Sequence, residues 1–249
     1  MSFMNKVVIV TGASSGIGAA AAKMFSDEGA RVVMVGRNEK KISAVAARCA
    51  SPLVILADLS NDDDARRIID ETIKKFGQID VLVNNAGLTV DNGGLLGNDM
   101  MQAYDTVMRV NVRAVVLLTT LAAPHLIKTK GNIVNISGIG GKMPISAPDM
   151  INHQLSKAAL DHYTVCSAAE LGPHGVRVNG VNPGPVRTDY LENAKKAITW
   201  DYVLPMTLLK RVSEPEEIAD LIMFLASDRA KGITGADYII DNGMLIKRS

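Results

Sequence analysis

The chain has 249 residues, 47% of them hydrophobic, enough apolar material for a sizeable core in a single domain. Its 27 basic and 26 acidic residues leave a formal charge of +1, without the clustered positive charge that nucleic-acid binding needs. Two cysteines, Cys49 and Cys166, make no disulfide scaffold and fit a reducing, cytoplasmic compartment; no run of about 18 apolar residues suggests a membrane span.

Taken in chain order, strand-like runs fall at 6–10, 31–35, 53–57, 80–83, 131–136, 176–181 and 237–240. Helical stretches separate them at 17–28, 39–50, 61–76, 99–128, 152–171 and 215–227. Strands that are apolar along their length and alternate with helices belong to a parallel sheet covered on both faces. The expected fold is therefore α/β: one Rossmann-like, doubly wound parallel sheet of about seven strands, spanning 1–249. Boundary residues agree with this. Gly29 suits the end of the first helix, Asn38 the start of the second, and Ser60-Asn61-Asp62-Asp63 opens the third with a cap and acids against the helix dipole.

The first strand-to-helix turn reads Thr11-Gly12-Ala13-Ser14-Ser15-Gly16-Ile17-Gly18. Glycines at 12, 16 and 18 allow a tight turn, close backbone approach and close helix packing, and the helix start offers free N–H groups to a pyrophosphate. The strand before it and the helix after it are the context that gives such a cluster meaning. After the second strand comes Gly36-Arg37-Asn38, with no acid to hold a ribose diol; Arg37 instead can pair with a 2′-phosphate. NADP(H) is thus expected over NAD(H).

Further on, an apolar run ends at Ser137, and a helix then carries His153 and Lys157 four residues apart on one face. A hydroxyl at a strand's carboxyl end, facing a ring that can move a proton and an ammonium, forms a catalytic set. These features stand in order with Asp58, Asn84-Asn85-Ala86-Gly87, Asn111, Ser156-Lys157 and Pro183-Gly184-Pro185-Val186-Arg187-Thr188. Together they resemble the single-domain short-chain dehydrogenase/reductase family, from residue 5 to about 243.

The resemblance implies roles. Asp58 and Leu59 would hold the adenine; Asn84, Ala86 and Gly87 would line the cofactor and stabilise the central strand; and Ser14, Ser15, Ile17 and Asn38 would complete its binding loop. Asn111 would position a water joined to Lys157, and Lys157 would hold the nicotinamide ribose and supply positive charge. Pro183, Gly184 and Val186 would cover the nicotinamide, with Thr188 reaching its amide. The implied activity is interconversion of a ketone and a secondary alcohol, with Ser137, His153, Lys157 and Asn111 as the catalytic residues.

In one respect the sequence departs from the family. A tyrosine belongs four residues before the lysine, and here that position is His153. No tyrosine elsewhere has a lysine at that spacing. The lysine ammonium that favours a phenolate disfavours an imidazolium, so the ring is expected to be mostly neutral at pH 7 and a poor proton source. Histidine is also roughly 2 Å shorter, so a water is expected to bridge the gap. Loss of general acid catalysis typically costs 10²–10⁴-fold. Three readings stay open: a working reductase using His153, one whose carbonyl chemistry is attenuated, and a silent NADP(H)-binding or assembly module.

The segment 188–212, with Tyr190, Trp200, Tyr202, Leu204 and Met206, is expected as a lid over an apolar or ring-shaped carbonyl substrate, steroid-like or acyl. Gly93-Gly94-Leu95-Leu96-Gly97 would form the opposite wall. His125, His162 and His174 have no metal-ligand spacing, so no metal is expected. Segment 104–122 is apolar around much of its circumference, which agrees with the homotetramers or dimers that the resemblance implies.

Overall fold

Val7 to Thr11 alternate between two apolar layers, and that alternation organises the molecule. The computed structural model describes residues 3–91, 94–144, 150–189 and 199–247. Its strands are β1 (Val7–Thr11), β2 (Arg31–Gly36), β3 (Leu53–Leu56), β4 (Val81–Asn84), β5 (Asn132–Ile136), β6 (Arg177–Pro183) and β7 (Asp237–Ile240). They form one seven-stranded sheet in the order β3-β2-β1-β4-β5-β6-β7, every neighbour pair parallel. The chain runs outward from β1 to β3, then returns to the other side of β1 as β4. A crevice opens at that reversal, at the carboxyl ends of β1 and β4.

Odd and even residues of β1 point to opposite faces, as a period of two requires. Val8 and Val10 join Phe25 of helix α1 (Gly16–Asp27), Ile42 of α2 (Glu39–Ala46) and Ile218 and Ile222 near the C-terminus. Val7 and Ile9 join Ile68 of α3 (Asp62–Phe76) and Leu118 and Leu126 further along. Both layers are needed because a parallel strand has no face to spare for water.

The long helical stretch expected at 99–128 is continuous from Met100 to Thr129. It consists of α4 (Met100–Met108), a π-helical turn at Arg109–Arg113 and α5 (Ala114–Thr129). By length and composition alone this helix could cross a membrane, against the expectation of no such run. Its apolar surface has a local explanation: α5 packs on α3, and α4 and the π turn on α6 (Ile151–Leu171). Between β6 and β7 lie α7 (Trp200–Val203) and α8 (Pro215–Ala226), the latter opened by a reciprocal Glu214–Glu217 capping box.

The expected caps are in place: Asn38 accepts from the Lys41 N–H at 2.9 Å and Asn61 from that of Asp63 at 3.0 Å. Helix α2 stops at Ala46 rather than at 50. Arg48 and Cys49 donate three residues back, tightening the turn, and Pro52 then leads into β3.

Candidate active site

Two cavities meet at the carboxyl edge of the sheet. The first, about 750 Å³, runs from Gly12, Ser14, Ser15, Gly16 and Ile17 past Arg37, Asn38, Asp58 and Leu59 to Ala86, Gly87 and Thr188. Local geometry explains its shape. Gly12 and Gly16 take φ of +67° and +53°, which a side chain resists. A Cβ on Gly12 would meet Asn85 Nδ2 at 2.8 Å and Ala86 Cα at 3.0 Å. Thr11 Oγ1 accepts from the N–H groups of both Asn85 and Ala86 at 3.0 Å, pinning the β4 turn against the glycine loop.

These residues fit a dinucleotide. Ser15, at the N-cap of α1, makes no capping hydrogen bond and the first turn carries no acid, so the helix start is left for an anion. Arg37 is 64% exposed at the far end, 3.9 Å from Asp58 Oδ2. The Asp58 carboxyl is held below the usual carboxylate range, first by the Ser60 backbone N–H and also by Ser60's hydroxyl and Arg37. Lys41 lines the same end and pairs with Asp189. Sequence reasoning missed Lys41, because one turn into a helix it reads as an ordinary solvated lysine.

The second cavity, about 440 Å³, is lined by Ser137, His153 and Lys157 together with Ile136, Ile139, Met150, Pro185, Trp200, Val203, Met206 and Met244. It shares Ile17, Asn85, Gly87, Leu88 and Thr188 with the first. Ser137 donates its hydroxyl to the Lys157 main-chain carbonyl at 3.0 Å, and Lys157 Nζ donates to the Ile136 carbonyl at 2.9 Å. Burial pulls the Lys157 ammonium down to about 8, against the opposing pull of Asp161. The His153 ring places Nδ1 3.4 Å from the Leu88 carbonyl oxygen.

Asn111 is held in the π turn and is buried. Its amide closes a two-way clasp on Leu88, donating to the carbonyl at 3.0 Å and accepting from the N–H at 2.9 Å. The same amide donates to Ser156 Oγ at 3.0 Å. A Cβ on Gly87 would find Asn111 Oδ1 at 3.5 Å and Lys157 Nζ at 3.6 Å, so these groups converge on one glycine.

Not every expected residue reaches the cavities. Asn84 lies inside the sheet, donating to Asn135 at 2.9 Å, while its neighbour Asn85 lines both cavities. Gly18 packs against Gly12; Asn38 does line the first cavity, although its side chain is spent as a cap. Leu95 and Leu96, expected as a wall, are 72% and 98% exposed and line neither cavity. That short 3-10 turn at Gly94–Leu96 precedes α4 instead of folding back. Tyr190, Gly93 and part of the expected lid, at 190–198, lie outside the described residues. Trp200, Tyr202 and Met206 do line the cavity; Leu204 does not. Met150 and Met244 were not legible, since a lone methionine carries no positional signal.

Comparison with known proteins places this arrangement. The family described as enoyl-(acyl carrier protein) reductase matches residues 12–245. The 3-oxoacyl-[acyl-carrier-protein] reductase of Thermotoga maritima is 34% identical over 253 residues, covering 99% of this chain and 100% of its own. The meso-2,3-butanediol dehydrogenase of Serratia marcescens is 36% identical over 248 residues, covering 98% and 96%. A solved short-chain dehydrogenase/reductase of unknown function from Caenorhabditis elegans, with cofactor, superposes with a TM-score of 0.93 at 32% identity over 99% of this chain and 97% of that one.

Proposed function

The chain belongs to the short-chain dehydrogenase/reductase family, and from that premise we propose that it is an NADP(H)-dependent oxidoreductase interconverting an apolar ketone and a secondary alcohol, attenuated by His153. The observation that carries this reading is the meeting of the cavities: Ser137, His153 and Lys157 line an apolar chamber that opens, through Gly87 and Leu88, onto a groove suited to a dinucleotide.

In this reading Gly12, Ser14, Ser15, Gly16 and Ile17 bind the pyrophosphate by backbone N–H groups, and Arg37 and Lys41 hold a 2′-phosphate. Asp58 and Leu59 face the adenine, Ala86, Gly87, Val186 and Thr188 the nicotinamide end. The bound cofactor supplies the hydride. Ser137 rotates its hydroxyl from the Lys157 carbonyl to the substrate oxygen, steadying developing negative charge. Lys157 orients the ribose and holds positive charge beneath the reacting oxygen. His153 or a water beside it delivers the proton.

The apolar lining of Ile139, Trp200, Val203, Met206 and Met244 supports a hydrophobic or ring-shaped substrate. The two named relatives are a 3-oxoacyl-[acyl-carrier-protein] reductase and a meso-2,3-butanediol dehydrogenase, named for different substrates, so the cavity wall is the better guide. A silent NADP(H)-binding module is the second reading, favoured by a histidine, His153, standing where the family has its tyrosine. The assembly proposed is a homo-oligomer through the α4, α5 and α6 surface, where Met101, Val116, Leu155 and Val165 are exposed. The free thiols of Cys49 and Cys166 accord with a cytoplasmic location.

The test is a carbonyl panel assayed with NADPH, beside calorimetric titration of both dinucleotides. Turnover of an apolar ketone is expected. Dinucleotide binding without turnover of any ketone would favour the silent module, and no binding of either dinucleotide would overturn both readings.

A further inference from the structure

Lys157 is wholly buried, and burial alone drives an ammonium towards its neutral form. A neutral lysine could still donate to a ribose, but it could not hold positive charge under a reacting oxygen. Something must oppose the desolvation. One helical turn beyond Lys157, on the same face of α6, stands Asp161, itself only 6% exposed.

Its placement is tightly built. Asn182 of β6 donates to Asp161 Oδ1 at 2.8 Å. Lys142, from the turn after Ser137, brings Nζ to 3.0 Å of Oδ2, as an ion pair without a well-aligned hydrogen bond. The same Nζ donates to Asp237 Oδ2 of β7 at 2.6 Å. The turn carrying Lys142 presses on the helix at this point: a Cβ on Gly141 would meet Asp161 Oδ2 at 2.7 Å and the Lys157 carbonyl carbon at 2.9 Å. Three segments, α6, β6 and the Lys142 turn, thus converge on one carboxylate, with β7 joined through Lys142, and a residue larger than glycine at 141 would push them apart.

We propose that Asp161 is a positioning residue that keeps Lys157 in its ammonium form, with Lys142 as the counterweight that limits its pull. The proposal rests on the catalytic reading of Lys157 given above. Among the described residues, the charged and titratable groups around the pair are His153 on the same helix, Lys142 on the β5–α6 connection and Asp237 on β7. Of these, Asp161 is the acid whose charge acts on Lys157 directly. Asp237 is already biased towards its protonated form, chiefly by burial and also by Asp161. It is therefore the acid that takes up a proton if Lys142 is lost.

The pair of variants Asp161→Asn and Lys142→Met gives opposite signs. Both are followed by 15N NMR titration of the Lys157 Nζ in selectively lysine-labelled protein, which needs neither substrate nor turnover. Asp161→Asn keeps the shape and can still accept from Asn182; its Lys157 midpoint is expected to fall by about one pH unit or more, the usual effect of losing a nearby opposite charge. Asp161→Glu should restore it. Lys142→Met should move the midpoint up, and that variant decides the matter if Asp161→Asn does not fold. An unmoved midpoint in folded Asp161→Asn, or a downward shift in Lys142→Met, would overturn the proposal. Midpoints that move as expected in a protein without ketone turnover would uphold the electrostatic role and reject the catalytic reading alone.

Discussion

The His153 imidazole sets its Nδ1 edge against the Leu88 carbonyl, 3.4 Å away, on the same oxygen that receives the Asn111 amide at 3.0 Å. In the tautomer that donates from Nδ1 to this oxygen, the neutral ring holds its lone pair on the other nitrogen. A ring in that state takes a proton and has none to give from its outer nitrogen. The anchoring to Leu88 therefore suits alcohol oxidation better than ketone reduction near neutral pH. Replacing the ring by a phenol restores a donor that the neighbouring ammonium activates. His153→Tyr is expected to raise NADPH-dependent reduction of an activated diketone at least tenfold near pH 7. Unchanged or lower turnover would mean that histidine suits this enzyme's own substrate. In the unsubstituted protein, reduction should climb on the acid side; a flat profile would indicate proton delivery through water.

Much of this was legible because apolar strands and glycine turns are written locally. The seven strand runs, the Gly12-to-Gly18 loop, the Asn38 and Asn61 caps and the shared face of His153 and Lys157 follow from spacing alone. What spacing could not reveal depends on tertiary packing. Asn84 and Asn85 are adjacent amides, yet one is taken by Asn135 inside the sheet and the other faces the cavities. Lys41 and Met244 come to the site from surface-like positions. Asp161 carries no signal of its own in the sequence, because its partners Asn182 and Lys142, and Asp237 beyond Lys142, come from three separate segments.

The adenosine end makes a second prediction. Arg37 is exposed and only loosely paired, 3.9 Å from Asp58, so its guanidinium can turn to a phosphate without breaking a strong bond. Arg37→Ala should raise the Michaelis constant for NADPH about tenfold, the value of a charge-assisted pair, and leave that for NADH nearly unchanged. Equal constants for the two cofactors in the unsubstituted protein would defeat the preference at the outset.

Lys157 predicts a pH-dependent stability difference. Its folded-state value, about 8, lies below the ordinary 10.5, so between these limits the unfolded chain binds the extra proton. Stability contributed at this site therefore rises with pH across that window. Relative to Lys157→Met, the protein should gain roughly 3 kcal/mol between pH 8 and pH 10.5, read from urea unfolding at several pH values. A constant difference would mean that Lys157 titrates normally. Activity should respond in the opposite sense, declining as pH rises through about 8 and the ammonium is lost.

Gly16 and Gly77 separate backbone strain from obstruction of the groove. Both hold left-handed backbone, φ +53° and +77°, so alanine at either is strained by about 1–2 kcal/mol. At Gly77, the C-cap of α3, an added Cβ meets nothing within 4 Å. At Gly16 it meets Thr188 Cγ2 at 2.7 Å, a side-chain tip that can move, and occupies the wall where a pyrophosphate would pass. The strain is shared and the obstruction is not. Gly77→Ala should lower the melting temperature by a few degrees and leave dinucleotide affinity intact. Gly16→Ala should show a similar thermal loss and, by calorimetry, at least a tenfold fall in affinity. If both variants bind dinucleotide equally well, the glycine loop is a turn only, and the anion must be held elsewhere.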